Sequence, residues 1–120
     1  MSLDLDMVSA ACPECKIILV EATNRETSNL YAAESEAVAL ESGGKKLATE
    51  VSNSWGGAEY SEETTKDTDF NHPDIPTTAS AGDSGYGVSY PAASKDVISV
   101  GGTTLKKRRE ANAVGKRPCG

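Results

Sequence analysis

Apolar and polar positions alternate in blocks along the chain, and the blocks have two characteristic periods. Leu3, Met7, Ala10 and Ala11 recur at helical spacing, and Pro13 cannot continue a helix, so the pattern predicts a helix over Leu3–Ala11. Lys16–Ala22 (KIILVEA) is a continuous apolar run of strand length, the pattern of a buried parallel strand. Thr23 and Glu26 have capping-box spacing, which predicts a helix start there or slightly later. Leu30, Ala33, Ala37 and Val38 then share one face, leaving Asn29, Glu34 and Glu41 on the more exposed side, and Gly43-Gly44 ends the helix. Leu47–Ser54 returns to a strand pattern, with Trp55-Gly56-Gly57 as a sharp exit.

The second half is more broken. Ala58–Phe70 is polar and weakly periodic, and reads as loop with at most one short helix. Ile75–Ser80 is a short strand followed by the glycine-rich loop Gly82–Gly87. Tyr90-Pro91-Ala92-Ala93 is a turn, and Asp96–Gly101 is a further strand. The order helix, strand, helix, strand, strand, strand implies an α/β architecture with a mainly parallel sheet. Active sites in such sheets lie beyond the carboxyl ends of the strands, where SNSWGG and SAGDSG both fall.

Charge changes the picture at one end. Residues 1–105 hold 6 basic and 17 acidic side chains, a net of −11, whereas residues 106–120 hold 6 basic and 1 acidic, a net of +5. An acidic body carries little positive self-repulsion at low pH and is poorly suited to nucleic acid. The ordered domain is therefore expected over residues 1–105, with residues 106–120 a basic, disordered tail. No apolar run approaches the roughly 18 residues of a membrane span, and MSLDLDMVSA lacks the basic and apolar regions of a signal peptide.

Candidate chemistry is concentrated in a few places. Cys12 and Cys15 form a C-x-x-C with no second pair to complete a zinc site, and they follow a helix rather than preceding one. That reads as a turn with two small thiols or a local disulfide. Gly82-Asp83-Ser84-Gly85 is similar to the nucleophile segment of trypsin-like proteases. The single histidine, His72, lies only 12 residues upstream in a polar His-Pro loop, which argues against Ser84 as a nucleophile. The elbow G-x-S-x-G fails as well, because Tyr86 occupies its last position.

Three segments in order, Ser2–Ala22, Val51–Gly57 (VSNSWGG) and Ser80–Leu105 (SAGDSGYGVSYPAASKDVISVGGTTL), together resemble the sedolisin family of serine-carboxyl peptidases. The resemblance implies a subtilisin-like α/β fold, here incomplete: a mainly parallel sheet flanked by helices. It implies hydrolysis of peptide bonds in acid, secretion, and peptide or protein substrates. Counting back from Pro13, Asp4 matches the family's helix Asp, whose Glu partner four residues earlier would share its helix face as an acid/base pair. Asp6 is the competing match, with Ser2 where the Glu would stand. Read without the resemblance, both are helix-start carboxylates favoured by the dipole.

By the same resemblance Ser54, Trp55, Gly56 and Gly57 are a substrate-binding strand end. The glycines would admit a peptide backbone, and Trp55 would wall a side-chain pocket; a core Trp is the alternative. Asp83 matches the carboxyl that donates a hydrogen bond to the developing oxyanion. It must be protonated to do so, which calls for acid or a value raised above about 3.9. The alternative is an Asp that caps its own glycine turn. A Tyr90–Pro91 cis bond is compatible with the turn. The resemblance also implies a nucleophile in a Gly-Thr-Ser segment and a calcium-binding C-terminal segment, and neither is present after Leu105. No cofactor is therefore expected in this chain, and the chain alone is expected to be inactive. The remaining alternative is a non-catalytic remnant or peptide-binding module of the same fold. A shifted reading frame would account for KKRREANAVGKRPCG, and reading the flanking DNA in all frames tests that.

Overall fold

The computed structural model describes residues 2–106. Helix α1 (Ser2–Ala11) leads into a turn closed by a Cys12–Cys15 disulfide, and helix α2 spans Thr27–Ala39. A two-residue hairpin follows, β1 (Glu41–Ser42) with β2 (Lys45–Lys46). Gly43 and Gly44 both take positive φ in its turn, the conformation a two-residue hairpin loop requires. A Glu41–Lys46 ion pair of 3.0 Å joins its ends. Strand β3 (Val51–Asn53), the short helix α3 (Glu63–Lys66), a 3₁₀ turn (Asp67–Phe70), β4 (Thr77–Ser80) and β5 (Ile98–Val100) complete the chain.

Strands β3, β4 and β5 form one parallel sheet in that order. The architecture is α/β with a parallel sheet and flanking helices, as the block pattern predicts. The core is built from aromatics. Tyr31 of α2, Phe70 and Tyr90 are buried together, with Trp55 and Val97 packed against them. Their rings meet edge-on or tilted, with centroids 5.6 Å apart for Tyr31–Phe70, 5.9 Å for Phe70–Tyr90 and 5.9 Å for Tyr31–Trp55. Tyr60 joins through its ring contact with Tyr90 at 5.6 Å and a 2.7 Å hydroxyl–hydroxyl hydrogen bond with Tyr31. Five of the six aromatic residues thus serve one cluster.

Three expectations are corrected. Lys16–Ala22 is not a buried strand: it has no regular structure, and Ile17, Ile18 and Leu19 are exposed. An apolar run supplies strand propensity, but a strand exists only when a neighbour takes up its backbone hydrogen bonds, and no described strand pairs with this one. Glu34 is not on the exposed face: it is 2% exposed. The buried stripe of α2 is Tyr31, Glu34 and Val38, rotated from the stripe read off the apolar residues. The carboxylate is tolerated there because polar partners meet it, as described below. The strand expected at Leu47–Ser54 is shortened to Val51–Asn53, and Leu47 is exposed. Residues 107–120, most of the basic tail, lie outside the described residues.

Candidate active site at the carboxyl edge of the sheet

The parallel register brings the functional segments to one edge. Asn53 pairs with Ala79 and Ser80 with Val100, so Ser54, Ala81 and Gly101 leave the sheet side by side. Adjacent strands lie about 4.8 Å apart, so these exits are immediate neighbours. The Ala81 amide still donates to the Val100 carbonyl at 2.9 Å, and the Ser89 amide donates to the Ala81 carbonyl at 2.9 Å. The second bond closes the base of the loop Gly82–Val88, every residue of which is exposed.

The SNSWGG segment is fixed from several sides. Trp55 Nε1 donates to Asn53 Oδ1 at 2.9 Å, and Asn53 Nδ2 donates to Glu34 Oε2 at 2.8 Å. Thr77 Oγ1, at the start of β4, donates to Glu34 Oε1 at 3.3 Å. The indole itself is packed against Tyr31 and Phe70 and keeps part of its surface open. Gly57 and Tyr90 exchange two backbone hydrogen bonds of 2.9 Å, an antiparallel bridge that ties this segment to the turn after the neighbouring loop. The Tyr90–Pro91 bond of that turn is cis.

The two glycine segments meet over Ser89. A Cβ on Gly56 would lie 3.1 Å from Ser89 Cβ and 3.1 Å from the Tyr90 carbonyl oxygen; a Cβ on Gly82, at φ +110°, would lie 2.7 Å from Ser89 Oγ. Gly56 thus makes room first for the chain's own Ser89-Tyr90 segment, and both backbone hydrogen-bonding groups of Gly57 are engaged by Tyr90.

The sequence-predicted carboxylates both reach this edge. Asp4, on α1, accepts a hydrogen bond from the Ser54 side chain, and that bond is the largest cause holding its carboxyl below the ordinary value. Asp4, rather than Asp6, is therefore the α1 acid that touches SNSWGG. Asp83 stands on the exposed loop one strand over. Its carboxyl makes no hydrogen bond or ion pair with any described residue, so it does not cap its own turn. Ser84 is exposed beside it, and His72 is elsewhere, with its ring Nε2 2.8 Å from the Asp69 carbonyl.

A family model, the Subtilase family, matches residues 4–115. The chain belongs to the subtilase family. No curated protein and no solved structure matches the chain. The subtilase match includes α1 from Asp4 onward, SNSWGG and SAGDSGYG in one span and continues ten residues past Leu105. Membership places the chain among serine-type peptidases, hydrolases of peptide or protein substrates. It explains why the strand ends carry the glycine turns: a parallel α/β sheet presents its chemistry there. Among the described residues no three His, Cys, Asp or Glu side chains gather to hold a metal ion. Nor is any described helix long and apolar enough to cross a membrane.

Glu34 is the site-supporting residue that sequence reasoning missed. Asn53 and Thr77, also buried and polar, were likewise invisible as its partners. The available signal was the spacing of Tyr31, Glu34 and Val38, which puts the acid on the aromatic side of α2.

Proposed function

We propose that this subtilase chain is part of a serine-carboxyl endopeptidase of the sedolisin type that cleaves peptide bonds in acid outside the cell. Asp4 is the helix carboxylate of the acid/base pair, Asp83 the oxyanion donor, and Ser54, Trp55, Gly56 and Gly57 the substrate-binding strand end. The observation that carries the reading is the parallel register, which brings SNSWGG and the loop of Asp83 to one carboxyl edge, where the Ser54 side chain also interacts with Asp4. A carboxyl held below its ordinary value stays ionised further into acid, which suits a base. The proposed role calls for Asp83 to donate a hydrogen bond to the oxyanion, and no described residue engages its carboxyl on the exposed loop.

By the resemblance, neither the Glu partner nor the nucleophilic Ser is among these 120 residues, so the chain alone binds substrate without turnover. The test is casein cleavage and casein binding at about pH 3–5, bracketing the ordinary Asp value of about 3.9. Binding without cleavage is expected. Cleavage that survives both Asp83→Ala and Asp4→Ala overturns the site assignment. Binding in acid without any cleavage is also what a peptide-binding module of the same fold would show. Restoring turnover by joining the chain to a segment that supplies Glu and Ser separates the two.

A further inference from the structure

A carboxylate with 2% exposure lies directly beneath the proposed substrate-binding segment, and no step proposed above uses it. An ionised carboxylate only accepts hydrogen bonds, whereas the Asn side chain has one donating and one accepting end. Glu34 Oε2 takes the donating end, Asn53 Nδ2, at 2.8 Å. The accepting end, Oδ1, is thereby turned toward Trp55, and the indole N–H, which can only donate, finds it at 2.9 Å. With the amide flipped, Asn53 would face Glu34 with an acceptor and Trp55 with a donor, and both bonds would be lost. Thr77 Oγ1, at 3.3 Å from the other carboxylate oxygen, fixes Glu34 against β4.

We infer that Glu34 is a positioning residue: through the amide of Asn53 it sets the orientation of Trp55, and so fixes the Ser54–Gly57 segment for an extended peptide. This rests on the substrate-binding reading of that segment. Ser54 lies between the two anchored residues Asn53 and Trp55 and is the residue that reaches Asp4. The same relay that orients the indole therefore also holds the serine that meets the helix acid.

Donor–acceptor polarity makes a reciprocal swap the decisive experiment. Asn53→Asp sets two acceptors against each other. Asn53→Asp combined with Glu34→Gln restores a matched chain of reversed origin: the amide introduced at position 34 donates to the carboxylate introduced at position 53, which still accepts from the indole. Trp55 is the single tryptophan, so its fluorescence reports the site directly. The probe for binding is fluorescein-labelled casein, followed by anisotropy at about pH 6.5, well above the ordinary Asp and Glu values of about 3.9 and 4.3, so that a shared proton does not mask the mismatch.

Asn53→Asp is expected to move the Trp55 emission toward that of an exposed indole and to weaken casein binding about threefold to tenfold, the equivalent of one hydrogen bond. The double variant is expected to recover both. The test decides even where Asn53→Asp alone fails to fold, because the double variant has to restore the wild-type emission in either case. Emission unmoved by Asn53→Asp, or unrecovered in the double variant, overturns the positioning role and leaves the substrate reading standing. A wild-type chain that does not bind casein overturns the substrate reading instead, and with it the role of the relay in binding.

Discussion

The two glycine segments at the sheet edge are neighbours in space and opposites in construction. SNSWGG is held at almost every residue: Asn53 by Glu34, Ser54 by Asp4, Trp55 by Asn53 and the aromatic cluster, Gly57 by Tyr90. SAGDSGYG is closed only at its base, and from Gly82 to Val88 it is exposed, with Tyr86 the most open large side chain among the described residues. A surface that must match a peptide gains from being fixed before the peptide arrives, because ordering costs are then avoided on binding. A group that must donate to a transient charge gains from having no prior partner. On the proposed function, the difference in restraint is the physical counterpart of a wall and a reactive group.

The largest blow to this contrast comes from beneath it. Phe70 is 1% exposed and touches Tyr31, Trp55 and Tyr90, so Phe70→Ala should cost about 3–5 kcal/mol. Chemical denaturation followed by Trp55 emission checks it, and a loss under about 1 kcal/mol would show that SNSWGG does not depend on the cluster. Alkali attacks the same place. Burial first, then the neighbouring hydroxyl and carboxylate groups, raises the Tyr31 and Tyr90 phenols above their ordinary value of about 10. The unfolded chain releases these protons first, so the stability they contribute is fully present below about pH 10 and falls as pH rises beyond it. Denaturation midpoints measured from neutral pH to about pH 11 should drop only in the upper part of that range.

Gly82→Ala strains the place where the glycine loop packs over Ser89. At φ +110° with Ser89 Oγ 2.7 Å from the added carbon, it should cost about 1–3 kcal/mol. Thermal unfolding measures that loss, and a neutral result would mean that the loops are not packed together over Ser89. Limited digestion compares the loops directly. Chymotrypsin should cut after Tyr86 well before it cuts after Trp55, because exposed loop tips are nicked first. Equal rates at the two sites would erase the distinction. The smallest effect belongs to Asp83→Ala. With no partner to lose among the described residues, it should change stability by less than about 0.5 kcal/mol while removing the proposed oxyanion donor. Chemical denaturation of the variant beside the wild type measures the difference.

Much of this was legible in the chain. The helix that stops before Pro13, the turn at Cys12–Cys15, the short strands before Trp55 and Gly82, and the glycine exits are local matters of propensity and punctuation. Local sequence decides them. Gly43-Gly44 reads from the sequence as a helix stop, whereas the helix ends at Ala39 and the two glycines turn a hairpin between Glu41-Ser42 and Lys45-Lys46. Lys16–Ala22 shows where such reading ends. Its composition is that of an interior strand, but pairing depends on residues far along the chain.

Sequence alone determined which residue types stand at the strand ends, where Asp4, Trp55 and Asp83 fall along the chain, and that the sheet would be parallel. Tertiary structure decided the rest. It turned Glu34 inward to meet Asn53 and Thr77, brought Asp4 to Ser54 from a helix about fifty residues earlier, and left Asp83 open. The physical reason is the range of the forces involved. Backbone propensities act over a few residues and are readable one window at a time, whereas a buried carboxylate is stable only where folding delivers its hydrogen-bond partners.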